Sequence, residues 1–305
     1  MHLLSLWRRS VKKFLRFLIF GGLGILGIMV INLTYLYHHR EFGPSDFCHP
    51  FILKLQGQTS PEEKRKASEI LKQKFTYLGS GTQVAAFESE DHRYVVKFFY
   101  PRNTIKEDWF HRFSRLRQMS SLKWMFKTHF KKRERLLKFF KSHELAFQDL
   151  REESGILYLH FDRSSCLSQK LELVDQEGKS HQVDLDVCPF ILQKKVEIAM
   201  THLQQQMAKG DVEGAREGIR QIYQLFLTRA QKGYTDHRQN LTKNYGFADG
   251  HAVQLDVGRI RYDKHVKQMP LKDVERVVDN LSPTLPPELA SFLQDCLQES
   301  KQESL

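Results

Sequence analysis

Tyr94-Val95-Val96-Lys97-Phe98-Phe99 places one ammonium inside an apolar run with the composition of a buried strand. A charge in that setting is expensive unless it meets a partner. Either the strand lies at an edge with Lys97 turned to solvent, or the rest of the chain must bring an acid or an anionic ligand to it. The following helical segment offers an acid. Leu137, Phe140, Glu144 and Phe147 recur at helical spacing, which sets Glu144 on the apolar stripe, with Glu134 on roughly the same face.

The elements around this strand are legible in outline. Ser60 before Pro61, Glu62 and Glu63 signals a helix start. Residues 75–100 read as three strands joined by a glycine turn and an Asp-containing turn, and 155–161 as another strand. Gln169 to Val187 alternates on both sides of Asp175 to Gly178, which predicts a hairpin, and 188–196 is a further β run. Residues 105–153 are mostly helical in pattern, broken at Ser120 and Ser121. Ile198 to Gln231 is helical in two pieces, parted near Gly210 with Asp211 as N-cap. Two short strands flank Ala248-Asp249-Gly250, where Asp-Gly favours a tight turn. Past Asp263 the pattern is helical, with proline breaks at 283–287.

Three separated pieces carry a resemblance to the protein-kinase-like superfamily over residues 75–260. Leu78 to Phe87 is similar to that family's glycine-rich loop, with Gly79 and Gly81 matching and the third glycine replaced by valine or alanine. Tyr94 to Phe99 looks like its third strand, with Lys97 as the phosphate-binding lysine and Glu144 as the partner that lysine requires. Val253 to Ile260 resembles the D-F-G motif, in which Asp256 would hold Mg²⁺, and Asn244 falls where the second metal ligand belongs. Leu192 to Lys194, centred on Gln193, sits where the family's hinge binds adenine. The resemblance implies an α+β, two-lobed protein-kinase-like fold, with a β-rich N-lobe and a mainly helical C-lobe. It also implies ATP and Mg²⁺ as cofactors, and transfer to an unidentified protein, sugar or lipid.

The catalytic loop departs from the family. Aligned on Asn244, His237-Arg238-Gln239-Asn240 puts Gln239 where the base should be, and an amide takes no proton from a hydroxyl at neutral pH. Asp236, three residues earlier, fills the role if the loop bulges; Asn240 would then be an alternative metal ligand. Without that bulge the chain is a pseudokinase scaffold or a membrane-associated binding protein.

Phe17 to Tyr37 supplies 21 residues with only Asn32 and Thr34 polar, about 30 Å as a helix, which predicts one transmembrane span. Arg8, Arg9, Lys12, Lys13 and Arg16 precede it, so the N-terminus is expected in the cytoplasm and the remainder translocated. That topology conflicts with an ATP-dependent activity in a bacterial periplasm. The implied organisation is a basic segment 1–16, a span 17–37, a linker 38–59, an N-lobe 60–196 and a C-lobe 197–305. Of the net charge of +11, thirteen Lys and Arg against three acids lie between Tyr100 and Lys141, so the positive surface is local. Aromatic residues interleave these bases, which suits anionic lipid; a solvated helix face is the plainer reading, and the span disfavours nucleic acid. Cys48, Cys166, Cys188 and Cys296 form no C-x-x-C pair, so their spacing suggests no zinc site. They read as buried thiols, with disulfides open to them in an oxidising compartment.

Overall fold

The computed structural model describes residues 27–29, 59–81, 84–100, 123–162, 166–237 and 239–303. The chain forms two compact units, 1–43 and 44–305. In the first, residues 27–29 are helical. The rest of the apolar run 17–37, its basic flank, the linker as far as residue 58, Cys48 and residues 101–122 of the basic segment lie outside the described residues. Among the described residues no helix is long and apolar enough to cross a membrane.

The second unit is an α+β fold. Its first helix, α1 (Pro61–Ile70), begins at a reciprocal cap: Glu63 N–H donates to Ser60 Oγ and Ser60 N–H donates back to Glu63 Oε2. A seven-stranded sheet follows, built from β1 (Phe75–Ser80), β2 (Val84–Ser89), β3 (Tyr94–Phe99), β4 (Ile156–His160), β5 (Lys170–Val174), β6 (Ser180–Asp184) and β7 (Phe190–Lys194). The strand order is β4-β7-β3-β2-β1-β5-β6. All neighbours are antiparallel except β1 and β5, which are parallel. The β5–β6 hairpin is where the alternation predicts it, turning at Gly178 with φ 83°. Its attachment beside β1 has no local signal in the sequence.

β3 is therefore central, flanked by β2 and β7, and the edge-strand alternative for Lys97 does not hold. Period-two alternation assigns its faces. Phe98 pairs with Phe190 on one side of the sheet, while Lys97 lies between Ala86 and Ile191 on the other. Against that second side packs α2 (Lys123–Asp149), followed by the single turn α3 (Arg151–Ser154). Buried Leu136, Phe140, Phe147 and Leu150 of this region join Phe99, Leu159, Phe161 and Ile191 of the sheet side and Tyr234, Val257 and Ile260 from further along the chain. This one cluster ties the front sheet to the segment after residue 255.

The helical part holds α4 (Ala199–Ala208) and α5 (Val212–Gln231), split as expected at Gly210, with Asp211 accepting from Gly214 N–H. Then come α6 (Lys264–Gln268), α7 (Pro270–Leu281) and α8 (Pro287–Glu303), with a 3₁₀ turn, Ser282–Thr284, at the proline break. β8 (Glu197–Ile198), β10 (Tyr245–Ala248) and β11 (His251–Gln254) form a small antiparallel sheet, and β9 (Tyr234–Thr235) pairs with β12 (Arg261–Tyr262). The β10–β11 turn has positive φ at both Asp249 (50°) and Gly250 (79°), the signature of a type I′ hairpin. At Gly246 a Cβ would stand 2.3 Å from the Glu197 carbonyl oxygen, so β10 can approach β8 only with glycine there.

Candidate active-site cleft

Gly79, Ser80, Gly81, Val84, Lys97, Phe99, Phe139, His143, Lys243, Leu255, Asp256 and Arg259 line one cavity of about 650 Å³. The glycine turn, the strand lysine and the aspartate after β11 thus open onto a common space. Hydrogen bonds hold the two ends together. Lys97 Nζ donates to the Leu255 carbonyl at 3.0 Å, and Leu255 N–H donates to the Asn244 carbonyl at 2.7 Å. The backbone of one residue, Leu255, therefore links the front sheet and the start of β10 just before Asp256.

Electrostatics follow from the enclosure. Burial drives the Lys97 ammonium down to about 8, and the Asp256 carboxylate opposes that shift. Asp256 itself is exposed, and its Oδ1 accepts from Gly258 N–H at 3.1 Å. Glycine is required at 258 by packing, since a Cβ would lie 2.5 Å from the Phe139 ring. A Cβ added at Gly79 or Gly81 would meet only open space, so both present bare backbone to the cavity. The lining includes three cations, Lys97, Lys243 and Arg259, against the single carboxylate of Asp256. That balance favours a polyanion.

Glu144 is buried but pairs along its own helix, with Lys141 Nζ at 2.7 Å. The side chains that α2 sends to the cleft are Phe139 and His143. Phe140, Glu144 and Phe147 of the stripe expected from sequence are buried, Leu137 is half-buried, and Leu136, His143 and Leu150 are buried beside them. His143 Nδ1 lies 2.8 Å from the Phe139 carbonyl; because a carbonyl only accepts, Nδ1 carries the proton and Nε2 presents a lone pair. Burial depresses its pKa to about 4. The Phe139 carbonyl and Asp256 oppose this shift, and Lys97 adds to it. His143 is therefore neutral at pH 7. Its folded pKa lies below the ordinary 6.5, so the unfolded chain takes up more protons between those values. Stability should fall as pH drops from about 6.5 towards 4, and urea titrations of His143→Gln should show that part of the loss removed.

Behind the cleft is a buried polar chain. Gln254 Nε2 donates to Asp236 Oδ2 at 2.9 Å and to the Asp256 carbonyl at 3.0 Å. Arg229, fully buried on the apolar stripe of α5, donates to Gln254 Oε1 at 2.8 Å and to the Tyr245 hydroxyl at 3.0 Å. Burial pushes Tyr245 up to about 12, with Asp236 and Asp256 both contributing. Asp236 is buried, and its own carbonyl accepts from Gln239 and from Arg276. Gln239 also accepts from Tyr245, so its amide is held inside this network. Asn240 Oδ1 accepts from Thr242 N–H and Oγ1, and Asn244 N–H donates to the Asn240 carbonyl at 2.8 Å. Gln193 shares a sheet face with Lys97, but its buried amide donates to the Ser154 carbonyl at 2.6 Å. Gln254 and Arg259 fall inside the Val253–Ile260 segment, but the resemblance assigns them no role there, nor does it assign one to Lys243 or Arg229. The fold brings Lys243 to the cavity that Asp256 lines and Arg229 to Gln254.

No family model matches the chain, and no curated protein matches it. Among solved structures it is similar to the bifunctional kinase-methyltransferase WbdD at 11% identity and a TM-score of 0.33, covering 71% of this chain and 43% of that one. A second WbdD structure gives 12% identity and a TM-score of 0.33 over 73% and 45% of the two chains. WbdD bound to the kinase inhibitor LY294002 gives 13% identity and a TM-score of 0.30 over the same shares. The chain thus spans less than half the length of these proteins. The functional reading rests on the residues of the cleft, not on this likeness.

Proposed function

We propose that the chain is a kinase-like phosphotransferase whose nucleotide site is the cleft between the glycine turn and Asp256. The observation that carries this reading is the shared cavity of Gly79, Gly81, Lys97 and Asp256, contributed by elements far apart in sequence. The donors lining the cavity fit a nucleoside triphosphate with Mg²⁺: bare glycine backbone and an ammonium for phosphate oxygens, and a hard carboxylate for the cation. Bound there, the nucleotide and its cation supply the transferable phosphoryl group and neutralise its charge.

In this reading Lys97 holds and orients phosphate oxygens, and Gly79 and Gly81 let the turn close over them without side chains in the way. Asp256 and Asn244 hold the cation, with the bond from Leu255 N–H to the Asn244 carbonyl keeping the two segments side by side. Asp236 takes the proton from the acceptor hydroxyl, its orientation set by the Gln254 amide that also grips the Asp256 backbone. Lys243 and Arg259 offset charge at the open side. A tether through residues 17–37, with the basic segment against lipid, belongs to this proposal on the sequence alone.

A pseudokinase scaffold is the second reading, favoured by the burial of Asp236 and the engagement of Gln239 in the network. Nucleotide-induced thermal shifts with and without Mg²⁺, followed by phosphate-transfer assays on candidate acceptors, separate the two. The phosphotransferase reading expects a Mg²⁺-dependent shift and transfer. A shift without transfer favours the scaffold, and no shift defeats both.

A further inference from the structure

A second constellation lies on the other side of the sheet. His160 pairs with Phe190, which pairs with Phe98, so it faces away from Lys97. Its imidazole lies against the Phe190 ring, with centroids 5.1 Å apart. One ligand-type atom from each of His160, Cys166 and Asp186 lies within 4.8 Å of the others. His160 ends β4, Cys166 lies in the connection to β5, and Asp186 sits in the 3₁₀ turn Leu185–Val187 just after β6. β4 and β6 are the two opposite edges of the seven-stranded sheet. The sheet curls until the ends of its first and last strands meet at this cluster.

We infer that His160, Cys166 and Asp186 bind a zinc-class divalent ion that joins the two sheet edges. The absence of a C-x-x-C pair spoke only against paired cysteines; here the fold assembles one nitrogen, one sulfur and one oxygen donor from 27 positions of chain. A thiolate and an imidazole select a borderline-soft ion over Mg²⁺ or Ca²⁺. With bond lengths of about 2.0–2.3 Å, a tetrahedral ion holds its donors roughly 3.5 Å apart, so the trio needs to draw in by about 1 Å. Asp186 is already oriented: its Oδ1 accepts from Leu167 N–H at 2.7 Å and its Oδ2 from Ser168 N–H at 2.9 Å. Those bonds fold the chain after Cys166 onto Asp186 and leave lone pairs for one metal bond. Water completes the fourth position, and binding releases the Cys166 thiol proton to solvent.

The site is structural in this account, because a bound ion would fasten β4 to the end of β6 where no backbone ladder connects them. The test uses the full chain. Zn²⁺ is loaded and dialysed, and metal content, Zn²⁺ affinity and melting temperature are measured; Co²⁺ is then substituted to read thiolate-to-metal charge-transfer absorption. Wild type should retain one equivalent, show the thiolate band and melt higher with Zn²⁺ than after chelation. Cys166→Ser and His160→Gln should each lose at least about tenfold in Zn²⁺ affinity, and Cys166→Ser should lose the band, while Cys296→Ser keeps both. Should His160→Gln fail to fold, the nearly isosteric Cys166→Ser is the deciding variant. A wild type without a thiolate band, or a band and affinity unchanged in Cys166→Ser, would overturn the proposal.

Discussion

Exchanging Lys97 for methionine is expected to weaken nucleoside triphosphate binding by about 1.5–3 kcal/mol, roughly ten- to a hundredfold, the range for a hydrogen bond to a charged group. The fold should survive, since methionine has a similar volume and relieves the burial of an ammonium. The pH dependence gives the assignment a second handle. Burial lowers Lys97 to about 8 in the folded protein against an ordinary 10.5. Between those values the unfolded chain binds the extra proton, so stability should rise with pH through this window. Nucleotide affinity should move the other way, falling as Lys97 loses its charge above pH 8. The methionine variant should be flat in both. Calorimetric titration of nucleotide from pH 7 to 10, with denaturant melts on the same samples, measures the two slopes.

Asp236→Asn is expected to leave nucleotide affinity nearly unchanged and to lower phosphate transfer by roughly 10²- to 10⁴-fold, the usual contribution of a positioned general base. Asparagine can still accept from Gln254 Nε2, so the buried chain from Arg229 to Asp256 should persist and the melting temperature should change little. Gln239→Ala provides the contrast. It removes the bonds to Tyr245 and to the Asp236 carbonyl, so its effect should appear in stability before it appears in turnover. Equal transfer by wild type and Asp236→Asn would remove Asp236 from the chemistry.

Local rules made much of this fold readable. The Ser60 cap, the Asp249-Gly250 turn and the Asp211 break each depend on a few neighbouring residues, and each stands where the sequence places it. Lys97 was legible because a lone charge in Val-Val-Lys-Phe-Phe has few tolerable environments. Glu144 was legible as a buried position on the helix stripe but its surroundings were not: it pairs with Lys141 on its own helix, while its neighbour His143 lines the cleft. Arg229 reads as one more polar residue until Tyr245 and Gln254 arrive from a hairpin sixteen and twenty-five positions later. The parallel union of β5 with β1, and the meeting of His160, Cys166 and Asp186, are long-range outcomes of sheet curl that no short window encodes.

The central claim is that one phosphate-bearing ligand is held from the front by Lys97 and from the rear, through a cation, by Asp256. Isothermal titration of a nucleoside triphosphate into wild type and Asp256→Ala, each with and without Mg²⁺, tests it most directly. Wild type should bind more tightly when Mg²⁺ is present, and Asp256→Ala should lose that enhancement while keeping its metal-free affinity within a fewfold. Binding that ignores Mg²⁺ in wild type, or an enhancement that survives in Asp256→Ala, would contradict the account.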